Sequence, residues 1–112
     1  MPKNHAPDVF RAIADPNRRR LLDLLSVRER AAQELANEFD ISFAAVSQHL
    51  RVLRRCRLVT SRATGRQRLY QVHPERLLEV YRWVARYREF WPARLRKLGA
   101  YLDRRPRAPS SS

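Results

Sequence analysis

The sequence predicts a mainly α-helical domain that carries one small β-hairpin. Near the middle of the chain, apolar residues recur every three or four positions and form one stripe of a helix within residues 42–58: Phe43, Val46, Leu50 and Leu53. A shorter helix precedes it across the brief turn Asp40-Ile41-Ser42, and two strand-like segments follow it around Thr64-Gly65. Two helices joined by such a turn and followed by a hairpin have the order of a winged helix-turn-helix.

The three helices before the central helix are predicted from their end signals and apolar faces. Residues 8–14 form a short helix, and Asp15-Pro16 begins a second one because Asp caps free amides and Pro fits the first helical position. This second helix should run to about Val27, with a broad core face of leucines. The segment AAQELANEF at 31–39 supplies the first helix of the helix-turn-helix, with Ala32, Leu35, Ala36 and Phe39 facing inward.

Length and charge limit the classes of function. The chain has 112 residues, enough for one domain at 8–103 between a flexible N-terminus at 1–7 and a disordered basic tail at 104–112. It carries 24 Lys and Arg, 22 of them Arg, against 11 Asp and Glu, a net charge of +13. No acidic residue occurs between Ile41 and Pro74, whereas seven arginines do. This distribution predicts a polyanionic partner, and Arg suits phosphate and guanine better than Lys does.

The central helix and the hairpin supply the candidate nucleic-acid-binding residues. The non-core positions at the start of the helix are small or hydrogen-bonding, which suits a helix in the DNA major groove. Ser47 and Gln48 are the first candidates for base contact. The hairpin strands, predicted at 58–63 and 68–72, place Leu69, Tyr70 and Val72 toward the helices. Phosphate contacts are expected from Arg51, Arg54, Arg62, Arg66 and Arg68, although a basic hairpin can also be merely solvated.

The chain resembles the ArsR-type family of bacterial winged-helix repressors. The resemblance covers roughly residues 10–102 and rests on Ala14-Asp15-Pro16-Asn17-Arg18, the run from Ile41 to Leu50, Val52-Leu53, Leu58-Val59 and Thr64-Gly65-Arg66. It implies a homodimer that represses by occupying an operator, often near its own promoter. By position, it also implies that the start of the central helix faces DNA through Ser42, Phe43, Ala44, Ser47, Gln48 and His49. One departure is Arg57, where the family usually has Gly; an Arg that ends the helix in a left-handed conformation would be strained.

Metal sensing and catalysis are not expected. The metal-sensing members of the family use paired Cys in the central helix or His and Asp along the C-terminal helix, and this chain has only Cys56 and no His from Glu75 to Asp103. His5, His49 and His73 are far apart in sequence. Cys56 is interpreted as a small core residue, with a redox switch as the alternative. No phosphate loop or nucleophile with a base is present, so we expect no enzyme, metal or cofactor.

The C-terminal segment, 74–103, predicts a dimer surface. Its apolar stripe is larger than a domain of this size can cover, and Pro92 should kink the helix or begin a second one. We expect the partner to be the same segment of a second subunit, together with the first helix. The dimerisation residues are Val9, Phe10, Ile13, Leu77, Val80, Tyr81, Val84, Tyr87, Trp91, Leu95 and Leu98. The alternative is an effector pocket lined by Trp83, Phe90, Trp91 and Tyr101.

The resulting hypothesis is a homodimeric repressor that binds double-stranded DNA at an inverted repeat, through helix 42–56 and wing 58–72. Half-sites should lie about one helical turn, or a multiple of it, apart. One alternative is a non-specific nucleic-acid-binding protein, for which the charge alone would suffice. Another is a repressor controlled by a protein partner on the aromatic C-terminal helix. The sequence shows no apolar run long enough for a bilayer and no signal-peptide core, so we expect a cytoplasmic protein without membrane contact.

Overall fold

The computed structural model describes residues 8–104. The predicted flexible N-terminus at 1–7, with His5, lies outside the described residues, as do 105–112 of the predicted tail. Arg104, the first residue of the predicted tail, is instead the last residue of a helix. The described residues divide into two compact units, 8–80 and 81–104, and each is described by itself below.

The first unit contains four helices, a three-stranded sheet and the beginning of a fifth helix. In chain order the elements are α1 (Val9–Ala12), α2 (Pro16–Val27), β1 (Arg30–Ala31), α3 (Ala32–Ala36), α4 (Phe43–Arg55), β2 (Val59–Thr64), β3 (Gln67–Val72), a 3₁₀ turn (Pro74–Arg76) and α5 (Leu77–Ala85). This order confirms the predicted mainly helical fold with a hairpin after the helix-turn-helix.

Helix α2 begins where its end signals predict. The Asp15 carboxylate accepts hydrogen bonds from the amides of Asn17 and Arg18, at 2.8 and 3.2 Å, and Pro16 occupies the first helical position. These amide hydrogen bonds lower the pKa of Asp15, although desolvation acts in the opposite direction. Because the capping carboxylate satisfies two otherwise free amides, it fixes the start of α2 at Pro16.

The sheet is antiparallel, with the strand order β1-β3-β2. The hairpin closes through Gly65 and Arg66, one residue later than predicted, and Gly65 has a φ of +62°, a conformation that favours glycine. Our prediction that Leu69 faces the helices is wrong. Tyr70 and Val72 pack against the core, and Leu69, one position away along the strand, therefore lies on the opposite side of the sheet.

The core of the first unit joins all of its helices to the hairpin. Its buried members are Val9, Ala12, Leu21, Leu22, Leu25, Leu35, Val46, Leu50, Leu53, Cys56, Leu58 and Val59. The inward positions predicted for α3 are confirmed. Phe43 is not a core residue as the stripe predicted: its side chain, at the first position of α4, is 49% exposed.

Helix α4 begins and ends with a defined capping arrangement. The hydroxyl of Ser42 accepts a hydrogen bond from the Ala45 amide at 3.0 Å. At the other end, the amides of Arg57 and Leu58 donate to the carbonyls of Arg54 and Leu53, at 3.0 and 2.9 Å. This is a Schellman motif with Arg57 in the left-handed position, and its φ is +64°. The strained helix end predicted from the sequence is therefore present, and α4 ends at Arg55, one residue before the predicted bound.

We expect Arg57→Gly to stabilise the protein by about 0.5–1 kcal/mol. The left-handed conformation costs a residue with a Cβ about 1–2 kcal/mol of folded-state stability. Glycine removes this cost, but it also raises the entropy of the unfolded chain, which offsets part of the gain. The urea midpoint of unfolding measures the difference. Arg55→Gly is the matched control, because the same change at the last helical residue should lower the midpoint. A lower midpoint for both variants would contradict the strain at Arg57.

The second unit is a helical pair that follows the start of α5. Within α5, Leu77 and Val80 still pack against the core of the first unit. The chain then forms a 3₁₀ turn at Arg88–Phe90 and a final helix, α6, at Ala93–Arg104. The predicted second helix after Pro92 is confirmed, but the break starts earlier, at the end of α5. The residue before a proline avoids the helical conformation, and Trp91 is extended, with φ −84° and ψ 151°.

Polar and aromatic contacts connect the ends of the second unit. The carboxylate of Asp103 accepts hydrogen bonds from the Tyr81 hydroxyl and from Arg88. The hydrogen bond to Asp103 raises the pKa of Tyr81. A Cβ at position 99 would lie 3.2 Å from Cζ3 of Trp91, which accounts for a glycine inside α6. The aromatic rings of this unit are thus partly packed on one another, and many stay exposed.

Candidate nucleic-acid interface

Helix α4 separates a core side from a polar side. Val46, Leu50 and Leu53 are fully buried, so α4 packs against the core through one apolar face. Ala44, Gln48 and Arg51 lie outside that face, as does Phe43. The helix contains no acidic side chain, and its exposed start offers small, amide and hydroxyl groups. A helix with this pattern can approach a polyanion without repulsion and can place short polar groups against base edges.

The start of α4 and the hairpin share one concave surface. A cavity of about 360 Å³ is lined by Phe43 and Ser47 of α4 and by Arg66, Gln67 and Arg68 of the hairpin, together with residues at the start of α3. A second cavity, of about 300 Å³, is lined by Ser47, Arg51, Arg54 and Arg68. We call this surface the basic groove. It brings together six of the predicted DNA-binding residues: Phe43, Ser47, Arg51, Arg54, Arg66 and Arg68.

The side chain of Gln48 is oriented by a neighbouring guanidinium. Arg51 Nη1 donates a hydrogen bond to Gln48 Oε1 at 2.6 Å, on the solvent side of α4. Because a carbonyl oxygen has two lone pairs, Oε1 can still accept a second hydrogen bond, and Nε2 is left to donate. An amide held in this way has the donor and acceptor pair that fits the major-groove edge of adenine.

The arginines of the basic groove have few hydrogen-bonding or charged partners among the described residues. Arg54 and Arg68 each donate to the hydroxyl of Ser61, at 3.3 and 3.0 Å. Arg66, at the tip of the hairpin, forms no hydrogen bond or ion pair with residues 8–104. A hydroxyl accepts hydrogen bonds but carries no full charge, so the positive charge of these three residues is not neutralised within the described chain. Such a surface is complementary to phosphate.

Arg62 is arranged differently from the other predicted phosphate contacts. Its Nε and Nη2 donate to the two carboxylate oxygens of Glu29, each at 3.0 Å. This pairing lowers the pKa of Glu29 and raises that of Arg62. Arg62 also follows Ser61 along β2, so the two side chains lie on opposite faces of the sheet. We therefore leave Arg62 out of the basic groove. Sequence reasoning missed its partner because the two residues lie 33 positions apart and meet only through the sheet register.

His49 also faces a protein partner. Arg18 Nη1 lies 3.1 Å from His49 Nδ1, and Arg18 Nε donates to the Ala12 carbonyl at 2.7 Å. A guanidinium only donates, so Nδ1 accepts and the ring proton is on Nε2. This contact joins α2 to α4, and the Arg18 side chain is occupied by partners within its own chain. The Ser42 hydroxyl already caps α4, and the Ala44 side chain has no polar atom.

The predicted dimerisation residues divide into two groups. Val9 is fully buried within its own chain and has no surface left for a partner, while Phe10 and Ile13 pack partly against the same core. In contrast, Val84 and Tyr87 are 37% and 45% exposed. The other exposed large apolar residues from Tyr81 onward are Tyr81, Trp83, Phe90, Leu95, Leu98, Tyr101 and Leu102. Trp91 is half-buried. The second unit thus presents an extensive apolar surface.

Cys56 is a buried core residue. It is fully inaccessible at the end of α4, and burial raises the pKa of its thiol, which favours the less reactive protonated form. Within residues 8–104, no group of three or more His, Cys, Asp or Glu residues is placed to hold a metal ion. No helix in the same range is long and apolar enough to cross a bilayer.

A helix-turn-helix followed by a basic antiparallel hairpin, with both bordering one acid-free groove, defines a winged helix-turn-helix DNA-binding domain. The family model described as "Bacterial regulatory protein, arsR family" matches residues 15–61, from the cap of α2 into β2. The HTH-type transcriptional regulator Rv2034 of Mycobacterium tuberculosis is 36% identical over 99 residues, 88% of this chain and 90% of that protein. The chain therefore belongs to the ArsR family and is a DNA-binding transcriptional regulator.

Two further proteins are similar to this chain. The transcriptional repressor SdpR of Bacillus subtilis (strain 168) is 31% identical over 80 residues, which is 71% of this chain and 89% of that protein. The crystal structure of the ArsR family transcriptional regulator RHA00566 superposes with a TM-score of 0.67 at 31% identity, covering 74% of this chain and 91% of that one. The resemblance noted from the motifs is thus confirmed.

Proposed function

We propose that the protein is a homodimeric transcriptional repressor that acts in the cytoplasm on an inverted-repeat operator. Each subunit inserts the start of α4 into a major groove, and the hairpin follows the adjacent backbone. The twofold axis places two half-sites about one helical turn, or a multiple of it, apart. The proposal includes no enzymatic activity, cofactor or metal. SdpR is named a repressor, and we extend that role to this chain.

The basic groove is the observation that supports this proposal most strongly. Ser47 lines the same cavity as Arg66 and Arg68, so a group that can contact bases lies beside groups that can bind phosphate. Phosphate contacts provide most of the affinity, and base contacts provide the sequence preference. Gln48, oriented by Arg51, and Ser47 are the proposed base contacts. Arg51, Arg54, Arg66 and Arg68 are the proposed phosphate contacts.

The homodimer is proposed on the apolar surface of the second unit. The apolar side chains exposed between Tyr81 and Leu102 are unfavourable in contact with water. A second copy of the same helices would bury them in a symmetric interface. Phe10 and Ile13, which are only partly buried, are proposed to contribute to the same interface. A dimer also doubles the number of base contacts, which a single small domain needs in order to discriminate an operator from random DNA.

Replacing Arg66 tests the role of the wing. We expect Arg66→Ala to weaken binding to operator and random DNA by a similar factor, and to reduce the slope of log affinity against log salt by about 0.9 for each phosphate that Arg66 neutralises. Fluorescence anisotropy across a salt series measures both. Arg11→Ala is the control, because Arg11 is exposed on α1 and lines none of the cavities of the groove. Equal slopes for the two variants would contradict a phosphate contact by Arg66.

A further inference from the structure

A third cavity lies between the end of α4 and the hairpin strands. It has a volume of about 400 Å³ and is lined by Arg54, Arg57 and Arg68 together with Val59, Thr60, Ser61 and His73. Val59 is buried and Ser61 half-buried, so the cavity has an apolar and hydroxyl floor with the arginines above it. Two of these arginines belong to the basic groove. Arg57 does not, and nothing in the proposed operator binding uses it.

The charge in this cavity has no counterpart in the described chain. No carboxylate lines the cavity, and the arginines Arg54, Arg57 and Arg68 form no ion pair with residues 8–104. The acidic residue next to the lining, Glu75, lies 3.5 Å from His73 Nε2 instead. Arg54 and Arg68 both donate to the one hydroxyl of Ser61, which brings two guanidinium groups close together around a neutral acceptor.

Arg57 occupies this site at a cost to the backbone. Its φ of +64° is a conformation that glycine adopts freely and arginine does not. The carbonyl end of α4 attracts cations, but that end carries only about half a charge, and the Cys56 carbonyl already accepts a hydrogen bond from Arg76 at 3.0 Å. A strained residue whose side chain lines a cavity of uncompensated positive charge points to a bound anion.

We propose that this cavity binds a phosphate group through Arg57, Arg54 and Arg68, with the Ser61 hydroxyl as a further donor. Guanidinium groups bind phosphate oxygens in a forked geometry, and three of them around one cavity supply ample positive charge to hold a phosphate. The phosphate can belong to the DNA backbone or to a free phosphorylated molecule. Only the first source depends on the proposed function.

The phosphate site is tested by titrating the full-length protein with inorganic phosphate at constant ionic strength, with calorimetry and amide chemical shifts as the readout. We expect saturable binding with shifts concentrated at residues 57–61. Arg57→Gln, which keeps the backbone position and removes the charge, should weaken binding at least about fivefold. Arg55→Gln is the matched control, because it removes the same charge from the same helix end without lining the cavity. Arg57→Lys should restore part of the affinity.

DNA titration of Arg57→Gln, with Arg11→Gln as the control for the loss of one exposed charge, identifies the source of the phosphate. If Arg57→Gln also lowers affinity for a random duplex more than Arg11→Gln does, the cavity holds a backbone phosphate. If Arg57→Gln and Arg11→Gln bind DNA equally while Arg57→Gln binds inorganic phosphate more weakly than Arg55→Gln does, the cavity holds a free phosphorylated ligand. Equal phosphate affinity in Arg57→Gln and Arg55→Gln, or no saturation below about 50 mM phosphate, overturns the site. A wild-type protein that still prefers its operator then leaves the proposed function intact.

Discussion

Replacing Val84 with aspartate is expected to convert the proposed homodimer into a monomer at micromolar concentration. Val84 is 37% exposed in the last turn of α5 and lies on the apolar surface assigned to the partner. Burying an unpaired carboxylate costs on the order of 3–5 kcal/mol, and a twofold interface incurs that cost in both subunits. Sedimentation velocity measures the change in assembly, and circular dichroism checks that the helices are retained.

Val27→Asp is the matched control for this experiment. Val27 is 73% exposed at the last position of α2, so the substitution adds the same charge at a comparable helix end and changes none of the proposed dimerisation residues. We expect Val27→Asp to stay dimeric and to keep operator affinity, whereas the operator affinity of Val84→Asp should fall about 100-fold or more, because each monomer contacts a single half-site. Equal assembly of the two variants would show that the surface from Tyr81 onward does not form the dimer.

Gln48→Ala is expected to remove sequence preference while leaving general DNA affinity nearly unchanged. The amide held by Arg51 can read one base in each half-site, and a bidentate base contact contributes about 1–3 kcal/mol of discrimination. The ratio of operator to random-DNA affinity should therefore fall by at least about tenfold, with two half-sites contributing. Competition titrations with both duplexes at one salt concentration measure this ratio.

Arg51→Ala is the informative comparison for Gln48. It removes the guanidinium that orients the amide and also a proposed phosphate contact, so both operator and random-DNA affinity should fall. Gln48→Ala should instead lower operator affinity and leave random-DNA affinity nearly unchanged. Equal decreases on both duplexes for Gln48→Ala would mean that Gln48 binds the backbone, and Ser47 would become the main candidate for reading bases.

The parts of the fold that sequence predicted well depend on local rules. The Asp15-Pro16 helix start, the Ser42 cap and the strained Arg57 are each determined by a few adjacent residues, and the structure has all of them. The three- and four-residue spacing of apolar residues in α4 was sufficient to predict which face of the helix is buried. It failed only at Phe43, because a periodic pattern does not show where the neighbouring helices stop covering the stripe.

The parts that were missed depend on long-range geometry. The strand β1 has two residues, too few for an alternating pattern, and exists because β3 offers it a partner. The pairing of Arg62 with Glu29 follows from the same sheet and removes Arg62 from the groove. In the C-terminal segment, α5 already ends at Ala85, well before the extended Trp91 that Pro92 requires. Local patterns therefore located the site, whereas contacts between distant elements decided which arginines remain available.

The central claim is that this chain recognises a particular DNA sequence and does not bind through charge alone. The most direct test is a fluorescence anisotropy titration of the full-length protein against the DNA upstream of its own gene and against a scrambled duplex of equal length, across a salt series. We predict a preference of about a thousandfold or more for the upstream DNA at moderate salt. Equal binding to both duplexes, with parallel release as salt rises, would contradict the claim and indicate a non-specific nucleic-acid-binding protein.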